Sequence, residues 1–163
     1  MQFISYIFMQ LDFRLATLAD QAALTPLVID SFEPITWQKK LDQDFGPLNG
    51  RDWRERWTAR LESIFKTQIV LVGESAGQIA AMATASVDQA SALGFIDVLA
   101  VARRFQGHGL GRQMLRGICD HLKALGCQSV NLDCLTDNDA GNALYESEGF
   151  TEVARHIRWF KRI

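Results

Sequence analysis

Apolar and polar positions alternate over residues 11–16, LDFRLA, the two-residue period of a half-exposed strand. Thr17-Leu-Ala-Asp20 resembles a helix-opening capping box, with Asp20 where Glu or Gln is usual. The helix it opens is expected to run to about Ile29 and to end ahead of Glu33-Pro34, because a residue before proline avoids helical backbone. Prolines and turn residues crowd residues 33–51, which read as a long loop of the functional kind. Asp52-Trp-Arg-Glu55 opens a second helix over about 53–66. Trp53, Trp57, Leu61 and Ile64 recur there at spacings of four, four and three, which puts them on one face. That face is expected in the core; exposed, it would be a homodimer patch.

The period then shortens. QIVLVGES (68–75), a turn at Ala76-Gly77 and QIAAMATASV (78–87) predict a hairpin. GFIDVLAV (94–101) is almost continuously apolar, as a strand buried on both faces is. Leu110, Met114, Ile118, Leu122 and Leu125 return to helical spacing, and Gly126 stops that helix. SVNLDCL (129–135) predicts another strand, Asp137-Asn-Asp-Ala leads into a helix ending near Glu148-Gly149, and two last strands are expected at 150–155 and 157–162. The order β α α β β β α β α β β predicts one α/β domain over residues 11–163 with a mixed sheet. Residues 1–10, apolar but without a signal-peptide pattern and too short to span a bilayer, are expected as an arm or extra strand.

The charge balance narrows the partners. The net charge is −2 with 48% hydrophobic residues. No basic footprint points to nucleic acid, and no segment points to a membrane. Cys119, Cys127 and Cys134 form no metal spacing; they read as small buried residues of a chain in a reducing cytoplasm. No metal is expected.

RRFQGHGLG (103–111) is the chemical centre of the sequence. Three glycines stand just ahead of a long amphipathic helix. A helix N-terminus offers unpaired N–H groups and a partial positive charge, and glycines let a ligand approach them without meeting a Cβ. Together they make a phosphate site. The spacing matches neither the P-loop nor the dinucleotide fingerprint.

Here the chain resembles the GCN5-related N-acetyltransferase (GNAT) family. Gln106-Gly-His-Gly109-Leu-Gly111 meets the family's Q/R-x-x-G-x-G/A motif, following a strand that ends in LAV (99–101). Asn138, Leu144-Tyr145 and Gly149-Phe150 match its N…LY…GF pattern, with Gly141 where alanine is usual. The resemblance covers residues 68–155 well and residues 11–66 in element order only. It implies an acyl-CoA N-acyltransferase fold, a mixed, mostly antiparallel sheet of about six or seven strands flanked by about four helices.

The resemblance also implies roles. Acetyl-CoA is the co-substrate, and acetyl passes to a primary amine of a small molecule or peptide by direct attack through a tetrahedral intermediate. The N–H groups of Gln106, Gly107, His108, Gly109, Leu110, Gly111 and Arg112 are expected to hold the pyrophosphate, with charge from Arg104 and Arg112. Leu99, Ala100 and Val101 are expected to pair with the pantetheine arm as an added strand, and the Val101 N–H to serve the oxyanion. Tyr145 is the candidate acid and Asp97 the candidate base, with Asp133 and Glu33 as alternatives. Asn138 either contacts the cofactor or caps its helix. Phe32, Glu33 and Trp37 are candidate substrate residues, aromatic and acidic groups together suiting a cation. A non-catalytic acyl-CoA sensor and a transferase using another acyl-CoA are the alternatives.

Overall fold

The computed structural model describes residues 9–163, so the arm expected at 1–10 lies largely outside the described residues. The chain forms β1 (Asp12–Leu15), α1 (Gln21–Phe32), α2 (Trp37–Phe45), α3 (Trp53–Thr67), β2 (Ile69–Ser75), β3 (Gln78–Asp88), β4 (Leu93–Val101), α4 (Leu110–Ala124), β5 (Ser129–Leu132) and α5 (Asp139–Ser147). The strands make one sheet in sequence order. The first four are antiparallel neighbours and β5 runs parallel to β4. A parallel neighbour needs a crossover, and α4 supplies it.

The sheet is covered on both faces. Leu110, Met114, Leu115, Ile118 and Leu122 of α4 pack on Ala81, Ala83 and Ala85 of β3 and Ile96 of β4. Large side chains on a helix meet small ones on the sheet, so the alanine run that weakens β3 as a strand brings α4 close. Burying each of those α4 residues stabilises the fold by about 1.5–3 kcal/mol. On the other face, Leu24 and Val28 of α1 and Trp53, Trp57, Leu61 and Ile64 of α3 cover Val72, Met82, Val98 and Ala100. The tryptophan face of α3 is therefore core and offers no dimer patch. A capping box at Asp52/Glu55 starts α3 as the sequence predicts.

Two expectations are corrected. Residues 33–51 are not a continuous loop, because α2 occupies their middle. Thr36 caps it by accepting from Gln38 N–H, and its hydroxyl also accepts from the Trp57 indole at 3.1 Å. The breakers Pro34 and Gly46-Pro47 bracket the helix instead of filling it. Of the expected six or seven strands, five form. Residues 151–163, read as two strands, have no strand partner among the described residues and are exposed throughout. Their outer contacts run to α2.

The first described residues are tied to α4 by one side chain. Gln113 accepts from Leu11 N–H at 2.9 Å and donates to the Met9 carbonyl at 2.8 Å.

β4 carries a bulge. Val98 faces Thr84 and Ile96 faces Ala85, which leaves Asp97 as an extra residue. Opposite it, the wholly buried Thr84 hydroxyl has no hydrogen-bond partner among the described residues. Such a group costs about 1–3 kcal/mol. Thr84→Val keeps the shape and removes the group, so it is expected to raise the thermal unfolding midpoint in a calorimetric scan.

Candidate functional site

The bulge sets the geometry of one edge. β4 pairs with β5 only from Leu93↔Ser129 to Ile96↔Leu132. Beyond the bulge the strands no longer pair. Ala102 N–H bonds Ala80 C=O on β3, so by strand alternation the N–H and C=O of Leu99 and Val101 turn toward the opened edge. Gln106 reaches back there and donates to the Val101 carbonyl at 3.0 Å. Ala100 differs from its two neighbours. Alternation turns its peptide groups to β3, and its side chain is buried against the α1–α3 layer.

The glycine loop closes the end of that edge. Gly107 and Gly109 hold φ of +79° and +76°, and a Cβ on either would meet nothing within 4 Å. Both residues are exposed. The left-handed backbone, not crowding, is what calls for glycine. The turn of α4 starts with Gln113 N–H to Gly109 C=O at 3.3 Å. The N–H groups ahead of it have no intrahelical acceptor, as at any helix start. Leu110 is buried and anchors the turn. Gly111 lies where α4 meets Val101 and Leu144. The His108 ring is exposed and its Nδ1 lies 2.9 Å from the Gln106 carbonyl, so it braces its own loop.

The flanking arginines divide. Arg104 stacks 4.9 Å from the Phe105 ring and bonds the Gln78 side chain, leaving an exposed cation beside the loop. Arg112 bonds Glu148 and Ser147, and Arg116 bonds the other Glu148 oxygen at 2.7 Å. These bonds clamp the end of α5 to α4 and hold the Glu148 carboxyl below its ordinary value, Arg116 being the largest cause.

Tyr145 sits on the same side of the sheet, edge-on to Phe150 at 5.9 Å. Burial pushes its pKa up to about 12, with a further push from the neighbouring Cys134 thiol. Asn138 is the N-cap of α5: its side-chain oxygen accepts from Gly141 N–H at 3.1 Å. The departure from the family's alanine has a local cause. A Cβ on Gly141 would lie 2.5 Å from the Asn138 amide nitrogen and 3.1 Å from Cys134 Sγ.

Asp97 is fully engaged. Arg60 of α3 donates to one oxygen at 2.5 Å and Gln68 to the other at 2.9 Å, while Arg60 itself lies over Trp57. Glu33 is shared by Lys39, Arg54 and Arg103 and held below its ordinary value, chiefly by Lys39. Asp42 pairs with Arg56 and caps α3 through Trp53 N–H. Phe32 packs on Trp57 at 5.0 Å, and Arg158 lies over Trp37. Sequence reasoning missed Arg60, Gln68 and Glu148. Their partners lie tens of residues away, and the one available signal was the uncovered charge of Asp97 in an apolar strand.

Comparison with known proteins gives the family and the fold. The family model "Acetyltransferase (GNAT) family" matches residues 34–150, and the chain belongs to that family. The chain is 31% identical to glucosamine 6-phosphate N-acetyltransferase of Arabidopsis thaliana over 50% of this chain and 56% of that protein. It is 36% identical to N-alpha-acetyltransferase RimI of Mycobacterium tuberculosis over 40% of each. The chain thus spans about half or less of these curated relatives. The fold matches that of aminoglycoside N-acetyltransferase AAC(6')-Iy, solved with CoA, at a TM-score of 0.66 and 16% identity over 95% of this chain and 97% of that one.

Two outcomes follow. Asp97→Asn weakens the Arg60 pair, which is partly exposed, and is expected to lower stability by about 1 kcal/mol while leaving the pH profile of turnover unchanged; thermal melts and steady-state kinetics check both. Glu148 has a depressed folded pKa, so its stabilisation is fully present above its ordinary 4.5 and fades as pH falls through the folded value. Glu148→Gln is therefore expected to melt earlier than wild type at neutral pH, with the gap closing in strong acid.

Proposed function

We propose that the chain is an N-acetyltransferase moving an acetyl group from acetyl-CoA to a primary amine by direct attack. The observation that carries this reading is the opened edge of β4. It joins the outward peptide groups of Leu99 and Val101 to the free N–H groups of the glycine loop in one continuous track. That track fits an extended amide-bearing arm followed by a pyrophosphate. The open space at the Cβ positions of Gly107 and Gly109 supports the fit. When bound, the cofactor supplies a thioester whose acyl carbon is open to attack.

The chain's own groups then have distinct tasks. Backbone N–H groups from Gly107 to Arg112 bind the phosphates, with Arg104 as the free cation beside them; the Gln106 N–H, expected among them, is given instead to the Arg103 carbonyl at 3.2 Å. Gln106 fixes the turn through Val101 C=O. The Val101 N–H donates to the oxygen that gains charge. Tyr145, kept protonated by its burial, donates a hydrogen bond, and then the proton, to the leaving sulfur and is reprotonated by the water that takes up the amine's proton.

The amine must be neutral to attack. Asp97 is held by Arg60 and Gln68 and is not assigned the task of accepting its proton. The acceptor is proposed to approach over Phe32, Glu33 and Trp37. Three cations share the one Glu33 carboxylate there, and a cationic surrounding favours the neutral form of an incoming amine. Its proton then leaves through water. The acceptor is a small-molecule or peptide amine.

Calorimetric titration with acetyl-CoA, CoA, ATP and NAD, followed by thiol release against an amine panel, tests the reading. Selective CoA binding with amine-dependent thiol release is expected. Gly109→Val, which forces a side chain to φ near +76°, is expected to lose CoA binding while still melting cooperatively. Tyr145→Phe is expected to keep CoA binding and lose roughly 10²-fold in turnover. Absence of CoA binding by folded wild type would overturn the reading; binding without turnover on any amine would leave an acyl-CoA sensor.

A further inference from the structure

A cleft that the acyl chemistry does not use lies at the far end of the sheet. It holds about 420 Å³ between the end of β1, the start of β2, the end of α3 and the last turn of α4. His121 and Leu125 line it from α4. The glycine loop stands at the other end of that helix, and a rise of about 1.5 Å per residue sets His121 about 18 Å from Gly109. The cleft is therefore a separate place from the phosphate-facing loop.

Its composition is selective. None of the described residues lining it is Asp, Glu, Lys or Arg, although those types make up 22% of the chain. Leu15, Leu18 and Leu125 line it while 54%, 85% and 47% exposed, so they form its rim. Phe65 is half-buried in its wall and offers a ring for edge or offset stacking. A concave space of this size, apolar apart from a few polar groups, has the make-up of a small-molecule site. An ion finds no counter-charge there, whereas a neutral ring finds apolar walls.

One polar group narrows the ligand further. Gln68, the residue that ends α3, lines the cleft and donates from its amide nitrogen to Asp97 at 2.9 Å. Its amide oxygen is buried without a hydrogen-bond partner among the described residues. A buried acceptor in that state is costly, and an N–H or O–H relieves it. The same amide thus has one end in the fastening of the β4 bulge and the other end unsatisfied.

We propose that this cleft is a second ligand site, taking an uncharged aromatic ring with one N–H or O–H donor, and that Gln68 carries its occupancy to the Asp97 bulge. A donor on the Gln68 oxygen fixes the amide whose nitrogen holds Asp97. The ligand thereby steadies the outward edge of Leu99 and Val101, and a ligand on that edge strengthens ring binding in return. The ring site stands apart from the acetyltransferase reading; its effect on CoA rests on that reading.

Indole titrated into the full chain, followed by amide NMR, is expected to give saturable shifts at Phe65–Val70 and at Ile96–Leu99. 1-Methylindole lacks the donor and is expected to bind roughly tenfold more weakly. Indole-3-acetate, an anion, is expected not to bind. Leu18→Glu with Leu125→Glu changes only exposed side chains and is expected to abolish indole binding with a cooperative melt retained. Gln68→Leu is expected to erase both the preference for indole over 1-methylindole and the shifts at Ile96–Leu99. Indole is further expected to tighten CoA at least about fivefold in wild type and not in Gln68→Leu. Indole binding by a chain that binds no CoA would fault the acetyltransferase reading and uphold the ring site. Absence of saturable shifts, equal binding of indole-3-acetate, or a rim variant that binds indole as wild type does would overturn the proposal. So would shifts confined to Phe65–Val70, or light scattering that shows a wild-type dimer dispersed by the rim variant.

Discussion

The extra residue at Asp97 in β4 governs more of this molecule than any single packed contact. A strand normally alternates its side chains, so inserting one residue moves everything after it to the opposite face. Ile96 faces α4, Asp97 and Val98 then both face α3, and Leu99 and Val101 return to the α4 side. The same insertion coincides with the end of pairing to β5. One irregularity thereby turns an interior strand into an edge for its last residues and aims that edge at the start of α4. The Arg60–Asp97–Gln68 bonds hold the extra residue in place. Here an ionised group on an apolar strand is the fastening of a backbone shape.

Charge on the α3 side follows the same logic. Arg54, Arg56 and Arg60 recur along α3 and take Glu33, Asp42 and Asp97 in turn. Each acid belongs to a different element: the end of α1, α2 and β4. The helix therefore stitches the layer polar-to-polar above the apolar seam that Trp53, Trp57, Leu61 and Ile64 make below. The partly exposed pairs to Glu33 and Asp97 contribute little each, while Arg56–Asp42 is largely buried; together the three fix which carboxylates remain free. Within the segment facing the β4 edge, little unpaired negative charge is left.

Much of this was legible in the residues. The four-four-three spacing of α3, the glycine turn before α4 and the Ala76-Gly77 hairpin each depend on neighbours within one element, and each formed where it was expected. The family motif placed the loop and α5 for the same reason. What escaped was set by distant partners. The α2 segment hid between its own breakers, because Thr36, its cap, gains weight only once the Trp57 indole is beside it. The role of Asp97 depended on Arg60 and Gln68, which no local pattern links to it. The last strands, expected at 150–155 and 157–162, did not form, because a strand needs a neighbour and residues 151–163 have none among the described residues.

Gln113 binds both Leu11 N–H and Met9 C=O, the two bonds that a neighbouring strand would ordinarily make. A helix side chain thus performs the work of a missing sheet partner, and it does so from the first turn of the helix that bears the glycine loop. The start of the described chain and that loop are joined through a single amide. The positions of Met9 and Leu11 and that of the first turn of α4 are therefore set together.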